Sequence, residues 1–176
     1  MVQERRVRVL IDEEKIARRN QEIAVESAKR EPKQLLVVAI LKGSFMFAAD
    51  LMRALHHAGL MPQVEFMHLS SYRDATVSSG QVVILKDIES DVKDRDVLLI
   101  DDILESGRTI AFAKDLLAAR GARVITCCLL EKPGKNAVTI KADYVGFTCP
   151  DLFVVGYGMD VAHSYRQLPF IGVVET

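Results

Sequence analysis

Apolar and polar residues along the chain fall into short greasy runs separated by longer stretches of helical period. VRVLI (7–11) has the pattern of a short strand, and Asp12 behind it can cap a helix over about residues 13 to 30. LLVVAI (35–40) is apolar without interruption, as expected of a strand covered on both faces. LKGS comes next, then FMFAADLMRALHHAG, a helical stretch closed by Gly59. Its apolar residues Phe45, Met46, Phe47, Leu51, Met52 and Leu55 run almost all round, so one face can pack on a sheet while another needs a second cover. Further strands are predicted at 63–72, 81–87, 97–103, 123–132, 142–147 and 152–158. RDATVSSG (73–80) reads as a mobile polar loop, and Thr109 to Arg120 as a helix ended by Gly121. Strands alternating with helices predict an α/β domain built on a parallel twisted sheet flanked by helices, with a small hood from the chain ends. With no repeat, low-complexity tract or linker, residues 1–176 read as one domain.

The stretch VLLIDDILESGRTI (97–110) carries the chemistry. Parallel α/β sheets bind ligands at the carboxyl ends of their strands, and Glu105 to Thr109 stands at such an end. Ser106 and Gly107 are small enough to let backbone N–H groups approach a ligand, and Ser106 and Thr109 add hydroxyls. A helix beginning near Thr109 contributes unsatisfied amides and a partial positive charge, which together favour a phosphate. A Walker loop fits poorly, because Asp102 stands where its first glycine belongs and Arg108 replaces its lysine. GYGMDV (156–161) starts like a dinucleotide fingerprint but ends in Val161 instead of glycine.

Asp101 and Asp102 need a different partner, because carboxylates repel a phosphate and are costly to desolvate unpaired. They suit hydroxyl donors or a cation, and a ribose diol with magnesium beside it supplies both. Phosphate loop and acid pair together point to a ribose 5-phosphate. A plain helix cap with one structural salt bridge is the alternative.

Composition narrows the class. The chain has 23 basic and 24 acidic residues and a net charge of −1, which is no general footprint for nucleic acid or a membrane surface. No run approaches the roughly eighteen apolar residues of a membrane helix, and the first residues lack the apolar core of a signal peptide. Cys127, Cys128 and Cys149 are odd in number and lack zinc-ligand spacing, so they read as buried small hydrophobes. A cytoplasmic protein is expected. His56, His57, His68 and His163 are assigned no chemistry.

VLLIDDILESGRT resembles the phosphoribosyl-pyrophosphate signature of type I phosphoribosyltransferases: an apolar strand, two acids and a short Ser/Thr–Gly–Thr loop. LKGS, SSY, LLEK and DLFVVGYGMD…YR keep the same order as in the hypoxanthine-guanine phosphoribosyltransferase family, from residue 41 to residue 166. The resemblance implies transfer of a ribosyl 5-phosphate from phosphoribosyl pyrophosphate to a 6-oxopurine, with Mg²⁺ as cofactor and a homodimer or homotetramer as the assembly. Asp101, Asp102, Glu105, Ser106, Gly107, Arg108 and Thr109 would hold the phosphoribosyl group. Leu41, Lys42 and Gly43 match a pyrophosphate loop with a non-proline cis peptide, and Arg166 matches an arginine that pairs with pyrophosphate. Asp160 matches an acid near a second magnesium, so the implied metal residues are Asp101, Asp102 and Asp160. Phe153 would stack on the purine, Val154 would read its edge by backbone, and Lys132 would donate to the oxygen at C6. Ser71 and Tyr72 match the tip of a lid that closes over the reacting centre.

One position departs from the pattern. Glu105 stands where the family usually has an aspartate that accepts or guides the proton at purine N7. Glutamate offers the same chemistry with one more methylene, so Glu105 is expected to keep the catalytic role. Two other readings compete: a phosphoribosyl-pyrophosphate sensor that binds nucleic acid, and a salvage enzyme preferring xanthine. Acidic residues interrupt the basic cluster Arg5, Arg6, Arg8, Arg18 and Arg19, so no nucleic-acid partner is expected.

Overall fold

The computed structural model describes residues 6–71 and 81–175. Its elements are β1 (Val7–Ile11), α1 (Glu13–Lys29), β2 (Leu36–Leu41), α2 (Phe45–His57), β3 (Gln63–Ser71), β4 (Val82–Lys86), β5 (Asp96–Leu104), α3 (Arg108–Ala119), β6 (Arg123–Glu131), β7 (Tyr144–Thr148), β8 (Val154–Val155) and β9 (Ile171–Val174). A six-stranded sheet has the order β4-β3-β2-β5-β6-β7, and a separate three-stranded sheet has the order β1-β9-β8.

Continuous apolar runs became the sheet's centre because each serves two cores. Val37 and Ala39 of β2 and Leu98 and Ile100 of β5 face one cluster, which Ile16 and Ile23 of α1 and Phe47, Leu51 and Leu55 of α2 complete. Their neighbours Leu36, Val38, Ile40, Val97 and Leu99 face the other, closed by Ile110, Ala113 and Leu117 of α3. Strand side chains alternate between faces, so a strand buried on both has no polar position to spare.

Helix ends obey the sequence signals. The Asp12 carboxylate accepts the Lys15 N–H at 2.9 Å, with Glu13 and Glu14 in the first turn of α1 and Lys29 in its last. Gly59 and Gly121 sit just past α2 and α3. In α2, Phe47, Leu51 and Leu55 are fully buried, while Phe45, Met46 and Met52 are half-buried.

Four details correct the sequence expectation. The sheet is mixed rather than wholly parallel, because β4 pairs antiparallel with β3 at its edge. The strand expected at 142–147 begins only at Tyr144. The strand expected at 152–158 shortens to Val154–Val155, since Gly156, Tyr157 and Gly158 all take positive φ and turn the chain away. Val154 and Val155 pair with β9, a strand the hydrophobic pattern did not reveal, and β9 pairs with β1, forming the hood. All three cysteines are buried and free.

Candidate active site

The parallel strands β2, β5 and β6 end on one rim, and the loops that leave them there build the site. After β5, Glu105, Ser106 and Gly107 lead into α3. Gly107 has φ +78°, and a side chain there would meet Ile140 Cγ2 at 2.5 Å, so only glycine fits the turn. The Ser106 carbonyl accepts the Ala137 N–H at 2.8 Å, and the Ser106 hydroxyl accepts the Arg108 N–H at 3.3 Å. Helix geometry leaves the first-turn amides of Thr109 and Ile110 without intrahelical acceptors.

Two clefts meet here. The first, about 610 Å³, is lined by Lys42, Gly43, Asp101, Asp102, Glu105 and the loop Ser106, Gly107 and Thr109. The second, about 540 Å³, also has Lys42, Gly43, Asp102 and Glu105 in its wall, and ends on Lys132, Phe153, Val154, Asp160 and Arg166. Residues from position 42 to position 166 thus converge on one junction. Arg108 is exposed and lines neither cleft, so its contribution to the loop is a backbone N–H. Ser71 is exposed at the end of β3 and also lines neither cleft. Tyr72 and the run 73–80 fall outside the described residues.

Strand alternation separates the two aspartates. Asp101 continues the α3 face of β5, lines the first cleft alone and is 8% exposed. Asp102 turns to the other face, against Gly43, whose Cβ, if it had one, would lie 1.8 Å from Asp102 Oδ2. Asp101 accepts the Asp102 N–H at 2.9 Å, and Asp102 accepts the Ile103 N–H at 2.7 Å. Burial first, then the charge of Asp102, pushes the Asp101 carboxyl well above the usual carboxylate range. Burial also raises Asp102, against the nearby charge of Arg166.

The remaining polar groups are already oriented. Leu41–Lys42 is a cis peptide. The Arg166 guanidinium donates to the Gly158 carbonyl at 2.6 Å and pairs with Asp160 at 3.1 Å. Lys132, just beyond β6, is 7% exposed, and its N–H is tied to the Leu104 carbonyl at 3.0 Å. Its ammonium lies 3.8 Å from Glu105 Oε1. Phe153 stands on the rim, 63% exposed.

Residues 10–162 match the model of the phosphoribosyl transferase domain. This chain belongs to the phosphoribosyltransferase family. It is 42% identical to the hypoxanthine-guanine phosphoribosyltransferase of Lactococcus lactis over 96% of this chain and 91% of that one. Against the Bacillus subtilis hypoxanthine-guanine phosphoribosyltransferase the identity is 43%, over 96% and 93%. A crystal structure of a hypoxanthine phosphoribosyltransferase from Staphylococcus aureus superposes with a TM-score of 0.89 at 40% identity, covering 96% of this chain and 91% of that chain.

Phosphoribosyltransferase motifs in the sequence did not point to every residue of the clefts. Leu69 lines both and His68 the second, outside every motif, while Ile103, Leu152 and Met159 lie within motifs but were assigned no role. Lys135 of the first cleft and Asp151 of the second form an ion pair at 2.6 Å. Lys135 sits in a KPGK turn, where a lysine carries no periodic signal, so only the folded chain brings it to Asp151.

Proposed function

We propose that the chain transfers the 5-phosphoribosyl group of phosphoribosyl pyrophosphate to a 6-oxopurine, hypoxanthine or guanine, releasing pyrophosphate. The observation that carries this reading is the shared wall: Lys42, Gly43, Asp102 and Glu105 border both clefts, so a sugar at the junction reaches a phosphate loop on one side and a base pocket on the other. Ser106, Gly107, Thr109 and the Arg108 N–H hold the 5-phosphate, and Asp101 and Asp102 accept from the ribose hydroxyls. Lys42, Gly43 and Arg166 take the pyrophosphate. Phe153 stacks on the purine, Val154 meets its edge by backbone, and Ser71 with Tyr72 belongs to a lid.

In the reaction the bond from C1 to the pyrophosphate oxygen breaks, its electron pair leaving with pyrophosphate, and the purine N9 lone pair forms the new bond to C1. Glu105 takes the N7 proton as charge shifts onto the base. Positioning across the junction and compensation of developing charge by Lys42 and Arg166 provide the rest.

Magnesium fits the acids. Two desolvated carboxylates with raised proton affinity offer hard oxygen donors, with Asp160 nearby. Among the described residues no three His, Cys, Asp or Glu side chains cluster as a metal site, so Asp101 and Asp102 would hold the ion from the first cleft and Asp160 from the second. When bound, it offsets negative charge on the diphosphate.

Lys132 sets base selectivity. An ammonium has donors only, so it donates to an oxygen at C6 and rejects the amino group of adenine. A second copy of the chain covers α2, where Met46 and Met52 are only half-buried, and the same assembly would shield apolar side chains left exposed at Met61, Val64 and Phe66. Sedimentation at a mass of one chain would overturn that assembly. Among the described residues no helix is long and apolar enough to cross a membrane.

Steady-state kinetics with hypoxanthine, guanine, xanthine and adenine, each with magnesium and phosphoribosyl pyrophosphate, test the reaction. Hypoxanthine or guanine should be consumed and adenine left untouched. Pyrophosphate release with none of the four would overturn the proposal.

A further inference from the structure

Tyr157 lies in the turn just after β8, yet lines neither substrate cleft. It is 5% exposed and faces the groove between α1 and α2. Its hydroxyl donates to Asp50 Oδ2 of α2 at 2.5 Å and accepts from Asn20 Nδ2 of α1 at 3.1 Å. Asp50 is in turn paired with Arg53 at 2.9 Å. Tyr157 has φ +48°, a conformation that a bulky side chain holds only when its surroundings impose it.

The same turn meets α2 a second time. A Cβ on Gly158 would lie 2.4 Å from the Gly43 carbonyl and 3.5 Å from the Phe45 ring, so the turn rests directly on the loop between β2 and α2. Gly158 also supplies the carbonyl that holds Arg166, and Asp160, two residues on, holds the other end of that guanidinium. Arg166 and the Lys42–Gly43 loop therefore share one support, and the Tyr157–Asp50 bond fastens it to α2.

We infer that Tyr157 is a positioning residue for the pyrophosphate side of the site, acting through its bond to Asp50. The inference rests on the proposed function. The purine side is held separately: Val154 and Val155 are paired with β9, and Lys132 is tied to β5. Loss of the Tyr157 hydroxyl should thus loosen the grip on the diphosphate and leave the base pocket in place.

Kinetics of Tyr157→Phe, Asp50→Ala and Asp50→Asn test this. Removing either end of the bond should raise the KM for phosphoribosyl pyrophosphate roughly tenfold, the contribution of one hydrogen bond to a charged group, with the purine KM moving by less than about twofold. Asp50→Asn keeps an acceptor and should stay near wild type, and Tyr157→Phe combined with Asp50→Ala should be no worse than either alone. An unmoved phosphoribosyl-pyrophosphate KM, or equal shifts in both KM values, would overturn the inference. Asp50 is only half-buried, so Asp50→Ala carries the test if Tyr157→Phe loses its fold. Calorimetric titration with magnesium pyrophosphate reads the anchor without turnover, and equal affinity in wild type and variants would also overturn it. A wild type that binds pyrophosphate but transfers nothing would instead overturn the proposed function.

Discussion

Glu105 Oε1 lies 3.8 Å from Lys132 Nζ, joining the loop after β5 to the end of β6 in the wall of the second cleft. N7 and the oxygen at C6 occupy the same edge of a 6-oxopurine. A carboxylate beside an ammonium therefore matches a proton to be removed and an oxygen to be held. With glutamate at this position the carboxylate reaches the lysine and still lines the cleft wall. Glu105→Gln keeps the shape but cannot take a proton, and should cut turnover by about 10²–10⁴-fold. Calorimetry should find phosphoribosyl pyrophosphate binding unchanged in the same variant. Full turnover would remove Glu105 from the proton transfer.

Phe153 separates binding from stability. The ring is 63% exposed and belongs to neither core, so removing it opens no cavity. A purine stacked on it would lose an aromatic contact of about 0.5–1.5 kcal/mol. Phe153→Ala should accordingly raise the purine KM by roughly three- to tenfold with an unchanged melting temperature, measured by parallel kinetics and thermal unfolding. A fall in melting temperature without a change in KM would show the ring to be structural.

The parts of the fold that burial dictates were legible in the sequence. LLVVAI and VLLI have no polar position because both sheet faces are covered; Asp12 marks a helix start through its side-chain cap, and Gly59 and Gly121 mark helix ends through backbone geometry. β9 was not legible, since IGVV is too short to show a period and is a strand only because β1 and β8 lie on either side of it. The strand at 81–87 was legible as β4, but its antiparallel pairing with β3 was not, because strand direction is set by the connection and not by the residue pattern. At the site, the motif residues converge on one rim of the sheet. The division of Asp101 from Asp102 across β5, and the packing of Gly158 on Gly43, depend on contacts between distant segments.

Asp101 should trade stability for function. Its carboxyl titrates above the ordinary value of 3.8 in the folded chain, because burial and the charge of Asp102 oppose ionisation. Between the unfolded and folded values the folded form holds more protons than the unfolded one. Its contribution to stability is therefore complete below the unfolded value and is lost as pH rises through the folded value. Asp101→Asn removes that loss. Its melting temperature should match wild type at low pH and exceed it increasingly toward neutral pH, by about 2–4 °C for each kcal/mol relieved. Phosphoribosyl pyrophosphate affinity should fall in the same protein. A difference in melting temperature that does not change with pH would exclude the buried charge as its cause.

Gly43 has no room to become anything else. A methyl there would meet Asp102 Oδ2 at 1.8 Å and its Cγ at 2.8 Å, while the Gly158 backbone blocks the carbonyl side of the same residue. Gly43→Ala must displace Asp102 or the loop itself, and either movement changes the wall shared by the two clefts. Misplacement on that scale should lower kcat/KM by about 10²-fold. Gly59→Ala is the matching control, since at φ +91° with nothing within 4 Å the new methyl strains only the end of α2. It should cost about 1 kcal/mol of stability and leave kcat/KM intact. Equal kinetic losses in the two variants would show that the effect comes from general loosening of the fold and not from the contact between Gly43 and Asp102.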